Sequence, residues 1–195
     1  MALSADLIKE LREETGAGIS DIKRALEDAG GDPVRAREFI ERRLGNIAEK
    51  KASRETKAGV VDAYIHSNGR IGALVEVFCE TDFVARNPAF KEFAHDIALH
   101  IAAMSPLYLS SDAVPQEVWQ AERLKVTEEV KKLGKPEGIT SEIIDGKLKS
   151  HFGSFSLMSQ PFVKDQDKTV EEFLKESIGR FGENIRIGRF TRFEF

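Results

Sequence analysis

The stretch Cys79-Glu80-Thr81-Asp82-Phe83-Val84-Ala85-Arg86-Asn87-Pro88 decides how this chain folds, because an alternating strand stops there and a helix begins. Before it, Ile71, Ala73, Val75, Val77 and Cys79 recur at period two, the spacing of one face of a β-strand. After it, Asn87 is a good N-cap and Pro88 suits the first helical position, so the helix has a defined start. Phe90, Phe93, Ala94, Ile97, Ala98 and Ile101 then follow at helical spacing. Asp82 and Phe83 therefore sit on a short connection whose two ends are fixed by regular structure. Two readings are open for them. Either Asp82 caps a single turn and Phe83 folds back into the core, or the ring stands out as a wedge offered to another molecule.

Upstream, Gly59 to His66 and Arg70 to Glu80 both alternate and are separated by Ser67-Asn68-Gly69, a strong hairpin signal. Val61, Ala63 and Ile65 are expected on one face with Ile71, Ala73, Val75 and Val77, covered by the helix from Pro88. Asn184 to Phe195 alternates again, with Ile185, Ile187, Phe193 and Phe195 on one side, and reads as a third strand. The helix before it opens with Thr169 and Glu172 at capping-box spacing and ends near Gly182. The expected class is α+β, with a three-stranded antiparallel sheet packed with helices. Its other face would then expose Val60, Tyr64, Leu74, Phe78 and Phe190. Fully burying each is worth about 1.5 to 3 kcal/mol, so a second layer is expected over them. The chain's own helices or another copy could supply it, and a homodimer through these five residues is favoured.

Towards the N-terminus, Leu3, Leu7, Ile8 and Leu11 mark one apolar stripe and Ile22, Ala25, Leu26 and Ala29 a second, with Thr15-Gly16-Ala17-Gly18 between. Asp32-Pro33 supplies an N-cap and first-turn proline for a third helix carrying Ala36, Phe39 and Ile40. Residues 1–50 thus read as a three-helix domain, running into a charged linker from Gly45 to Thr56 that could itself be helical. Residues 51–195 read as the core domain. Within it, Pro115 to Leu133 is a charged helix with a thin seam of Trp119, Val126, Val130 and Leu133. Gly134-Lys135-Pro136-Glu137-Gly138 breaks that helix, and a second helix carries Ile143, Ile144, Leu148 and Phe152. An antiparallel helical hairpin over residues 112–152, projecting from the core, is expected.

Composition narrows the chemistry. With 195 residues, 41% hydrophobic and 32% charged, the chain can fold without help. A net charge of −4 gives no general attraction for phosphate backbones, so nucleic acid is not expected as a direct partner. One cysteine and four scattered histidines make neither an internal disulfide nor a zinc site. No metal and no cofactor are expected. The glycines at positions 16, 18 and 134 are not parts of a phosphate-binding loop. No hydrophobic run approaches membrane-spanning length and the first residues lack a basic n-region, so a cytoplasmic, non-membrane protein is expected. His100 falls on the apolar side of its helix and reads as a hydrogen-bonded core histidine. Cys79 reads as a buried, inert thiol. His66, beside an exposed turn, could reach a partner. Gly16 and Gly18 either cap a helix in a left-handed conformation or let another surface approach the backbone.

These segments carry a resemblance to the elongation factor Ts family in its short bacterial form. Leu7-Ile8-Lys9-Glu10-Leu11-Arg12 leading into Thr15-Gly16-Ala17-Gly18 and Lys23-Arg24-Ala25-Leu26 is similar to the family's N-terminal signature. Cys79 to Asn87 is similar to its second and most specific one. Tyr64, His66, Gly69 to Gly72, His100-Ile101-Ala102, Gln160-Pro161-Phe162-Val163 and Arg192-Phe193-Glu194 also fit. The resemblance implies a UBA-like N-terminal domain and a nucleotide exchange factor, not an enzyme, for the GTPase elongation factor Tu. It implies that Thr81, Asp82, Phe83 and Val84 intrude beside the GTPase's nucleotide site and disturb its magnesium ion, which favours the wedge over the folded-back ring. It also implies partner contacts at Thr15, Gly16, Ala17, Gly18, His66 and Arg86. Longer relatives carry two copies of the core subdomain where this sequence fuses features of both into one, and a dimer would restore the second copy. Thr191 stands where short relatives can have a cysteine, so pairing here should not depend on a disulfide. A non-catalytic dimeric assembly module is the alternative function.

Overall fold

The computed structural model describes residues 4–132 and 137–195, so Leu3, Leu133 and the break at Gly134, Lys135 and Pro136 lie outside the described residues. The chain divides into two compact units, Met1–Leu99 with Glu171–Phe195, and His100–Val170.

The first unit starts with α1 (Ala5–Thr15), α2 (Ile19–Asp28) and α3 (Pro33–Lys51). Gly16 closes α1 at φ 67°, the left-handed cap that glycine adopts without a Cβ penalty, and its N–H donates to Arg12 O. Asp32 Oδ1 accepts from Val34 N and Arg35 N to start α3, with Pro33 in the first turn. Leu11, Ile22, Leu26, Ile40 and Leu44 meet in a core of their own. The charged stretch after Gly45 is helical as far as Lys51, because Leu44 and Ala48 keep the buried stripe going. Leu44 seats against the bare backbone of Gly179, where an added Cβ would lie 2.3 Å from Leu44 Cδ2. That contact ties the three-helix layer to α8 (Val170–Phe181).

Strands β1 (Ala58–Ile65), β2 (Ile71–Cys79) and β5 (Arg186–Glu194) form an antiparallel sheet in the order β1-β2-β5. Helix α5 (Pro88–Met104) begins at Pro88, with Asn87 Oδ1 accepting from Ala89 N as its cap. Ala73, Val75, Val77 and Cys79 are buried, as are Phe90, Phe93, Ala94 and Ile97. Rings from α5 meet rings from α8, Phe93 on Phe173 and the edge of Phe90 on Phe181.

The sheet corrects the expected faces of β1 and β5. Val60 pairs with Val77, Asp62 with Val75 and Tyr64 with Ala73, so Val60 and Tyr64 lie on the helix-covered face. His95 of α5 confirms the side: it bonds Asp62 at 3.0 Å and stacks edge-on with Tyr64. A turn of Ser67, Asn68 and Gly69 alone would have paired His66 with Arg70. Instead His66 N donates to Ile71 O, so Arg70 belongs to the turn and the register moves by one residue. A one-residue move exchanges the two faces of a strand. In β5 a bulge opposite Val75 to Val77 inserts an extra residue, so Phe190 pairs with Val75 and joins Ile187 on the covered side. Of the five residues expected on the open face, Leu74 and Phe78 are there, and Val60, Tyr64 and Phe190 are not. Val61, Ile65 and Phe193 take their place, exposed by 68%, 68% and 61%.

In the second unit α6 (Gln116–Lys131) and α7 (Glu137–Phe155) pair through Val126, Val130, Ile144, Leu148 and Phe152, with Trp119 stacked on Phe152. A short ribbon of β3 (Pro161–Phe162) and β4 (Asp165–Thr169) follows, which periodicity did not reveal because its strands are two and five residues long. His100 is fully buried here. Its Nδ1 accepts from Val163 N at 3.1 Å, which leaves Nε2 to donate to Gln160 Oε1 at 3.0 Å. Gln160 in turn donates to Met104 O and Ser154 O. The motif residues Gln160 to Val163 thus clasp a neutral core imidazole.

Burial holds His100 below its ordinary value, whereas unfolding returns it to about 6.5. The unfolded chain then takes up the extra proton first, so this contribution to stability is complete above that value and is lost as pH falls through it. Urea midpoints should drop between about pH 7.5 and pH 5, and His100→Gln should flatten that part of the profile; an unchanged slope would remove the assignment.

Candidate functional site

The turn between β2 and α5 is where sequence and structure converge. Thr81 leaves the strand in an extended conformation and caps α4 (Asp82–Ala85), its Oγ1 accepting from Val84 N. Asp82 therefore lies inside the single turn and does not cap it. Val84 and Ala85 are buried and root the turn from below. Phe83 is on the opposite side of that turn and is 83% exposed. Such a ring is costly to leave in water, and about 1.5 to 3 kcal/mol becomes available when a partner buries it. Of the two readings of this turn, the folded-back ring is excluded, and the Val84 side chain is buried beneath the turn.

The turn is held rigid from the corner between α8 and β5. Glu183 Oε2 accepts from Glu80 N and Thr81 N, each at 3.0 Å, and Oε1 accepts from Thr81 Oγ1 at 2.6 Å. Glu80 returns the bond, its Oε1 accepting from Asn184 N at 2.6 Å, and its Oε2 lies 3.6 Å from Arg54 Nη1. Asn184 Nδ2 donates to Ala52 O and Arg54 O, just beyond α3. Beneath the turn Cys79 Sγ donates to Thr81 O at 3.3 Å, and burial pushes its thiol up to about 11. A thiol so placed stays protonated and unreactive at neutral pH. Sequence reasoning missed Glu183 and Asn184. The available signal was two polar residues between a helix-ending glycine and an apolar strand, a position with no core to fill.

The other expected contact residues lie elsewhere. Gly16 carries the left-handed cap, and an added Cβ there would also fall 2.8 Å from Arg180 Cδ. The close approach to its backbone therefore comes from this chain's own α8. Ala17 is buried, Thr15 Oγ1 donates to Leu11 O, and Gly18 and Ile19 are exposed. Arg86 is exposed at the end of the turn. His66 is exposed beside the hairpin, with Tyr64 Oη 3.1 Å from its Nδ1. It sits beyond the Ile71 end of β2, whereas Phe83 lies beyond the Cys79 end. Nine strand residues at ~3.3 Å each separate them by about 30 Å. Within one chain these two residues cannot meet the same small feature.

Among the described residues no group of three or more His, Cys, Asp or Glu could hold a metal ion. Nor is any described helix long and apolar enough to cross a membrane.

The likeness to known proteins runs along nearly the whole chain. The family model described as Elongation factor TS matches residues 5–195. Proteins named Elongation factor Ts are 51% identical over 194 residues in Rubrobacter xylanophilus, covering 100% of both chains, and 49% identical in Thermotoga petrophila, covering 100% of this chain and 96% of the relative. In Carboxydothermus hydrogenoformans the identity is 48% over 192 residues, 98% of this chain and 88% of the relative. A match of that depth across both the N-terminal helices and the sheet with its braced turn has one meaning: the chain belongs to the elongation factor Ts family.

Proposed function

We propose that this translation elongation factor promotes release of GDP from the GTPase elongation factor Tu, without catalysing a chemical step. The observation that carries the proposal is the exposed Phe83 ring on a turn whose backbone is braced on both sides. On this reading the ring enters an apolar pocket of the GTPase and displaces the elements that hold its magnesium ion and phosphates. A magnesium ion that bridges phosphate oxygens contributes much of a nucleotide's grip, so disturbing it loosens GDP. The rest is linkage. If the factor binds the empty GTPase more tightly than the GDP-bound form, it weakens GDP by the same ratio. Thr81 and Asp82 present the ring, and Thr15 to Gly18, His66 and Arg86 supply further contact.

The open sheet face supports a second element of the proposal, a homodimer. Val61, Ile65, Leu74 and Phe193 are exposed together on one side of a three-stranded sheet, with Phe78 half-buried among them. Two such faces related by a twofold axis form a sandwich in which each covers the other. A passive dimeric assembly module would share that face but would not need a presented ring.

The test is to load the purified GTPase with fluorescent GDP, add this chain and excess unlabelled nucleotide, and follow release. Acceleration that saturates with factor is the expected result. An unchanged release rate with demonstrable binding would leave only the assembly module.

A further inference from the structure

We infer that Glu183 is the positioning residue of the exchange turn: its carboxylate, arriving from the corner between α8 and β5, sets the backbone from which Phe83 projects. The role in exchange rests on the function proposed above, whereas the bracing itself does not.

Strand β1 starts at Ala58, opposite Cys79, and β5 at Arg186, opposite Phe78, so neither neighbouring strand offers a partner to the N–H groups of Glu80 and Thr81. Both donate to the single oxygen Oε2 of Glu183. The second oxygen accepts a hydrogen bond from the Thr81 hydroxyl, which turns the lone pairs of that hydroxyl towards Val84 N, one of the first-turn amides that have no carbonyl partner within α4. One side chain therefore fixes the strand's exit, the cap of the helical turn and, through the cap, the direction of residue 83. A four-residue helix has no ladder of its own to do this. Glu183 is itself held in place, because the next residue, Asn184, is tied to Glu80 Oε1, Ala52 O and Arg54 O. The brace is thus reciprocal across two segments about a hundred residues apart in sequence.

The chemistry of the contacts predicts which substitutions matter. Because both backbone donors share one oxygen, glutamine can keep them on its carbonyl and donate its amide to Thr81 Oγ1. Glu183→Gln should preserve the turn, Glu183→Asp should strain it by withdrawing the carboxylate one methylene, and Glu183→Ala should release it. Amide hydrogen exchange of the full chain reads this directly. Glu80 and Thr81 should lose protection by about tenfold or more in Glu183→Ala and stay within about threefold in Glu183→Gln. Unaltered protection in Glu183→Ala would overturn the inference. If Glu183→Ala fails to fold, Glu183→Asp carries the same comparison, with a smaller loss expected.

The functional arm uses the fluorescent-GDP assay. At saturating factor, Glu183→Ala should slow release about tenfold while its affinity for the nucleotide-free GTPase changes less than about threefold. The double variant should release GDP within about twofold of Phe83→Ala alone, since a missing ring leaves the brace nothing to aim. A double variant showing the product of the two single losses would mean that Glu183 acts separately from the ring, and would sink its positioning role. A wild-type chain that leaves GDP release unchanged would instead sink the exchange function, with the amide result still deciding the brace.

Discussion

Phe83→Ala is expected to slow GDP release at saturating factor by about 10- to 100-fold, since removing a ring worth about 1.5 to 3 kcal/mol on burial removes that much from the strained intermediate. Formation of the complex with nucleotide-free GTPase should change far less. The asymmetry follows from linkage: a contact that acts only when it displaces the nucleotide's supports raises the release rate without adding equally to affinity. The structure makes the substitution a clean one. Phe83 is exposed, while Val84 and Ala85 root the turn and Thr81 caps it, so truncating the ring should leave thermal stability unchanged. Stopped-flow release with a fluorescent nucleotide measures the rate, and titration against the empty GTPase measures the affinity. Equal losses in both would make Phe83 an anchor and remove its part in expelling GDP.

Leu74→Glu should convert a dimer into monomers. Leu74 lies on the central strand, with Ala63 and Thr191 opposite it on the open face. In a twofold arrangement the substitution places one carboxylate from each protomer in the interface, and Arg189, the cation two residues along the strand from Thr191, is already paired with Glu76. An unpaired buried charge costs several kcal/mol, and about 4 kcal/mol corresponds to a thousandfold weaker association. Sedimentation equilibrium of the wild type and variant gives the answer. Tyr64→Phe provides the control, because Tyr64 faces α5 and lies outside the proposed interface. A wild type that stays monomeric at tens of micromolar, or a variant that associates as tightly as the wild type, would exclude this face as the interface.

The elements of the fold were legible because their signals are local. Period-two alternation gave β1, β2 and β5, and cap residues such as Asp32 and Asn87 gave helix starts within a residue. Which face each strand turns to the helices was not legible, since it depends on turn length and on a bulge. Counting Arg70 in or out of the hairpin turn exchanges Val60 and Tyr64 with Val61 and Ile65. One extra residue near Gly188 does the same for the far half of β5. The wedge itself was readable as one of two alternatives. Its support was not, because Glu183 and the amides it receives are 102 and 103 residues apart, and no periodicity links them.

Asn184 gives the turn a wider consequence. Its side-chain amide holds Ala52 O and Arg54 O at the end of the N-terminal helices, and its backbone N–H holds Glu80 at the root of the turn. Traction on the first fifty residues is therefore felt a few bonds from the ring. On the exchange reading proposed above, a molecule gripped by those helices would load the same hydrogen bonds that seat the aromatic tooth, so docking and prying would be two ends of one crowbar with a single fulcrum.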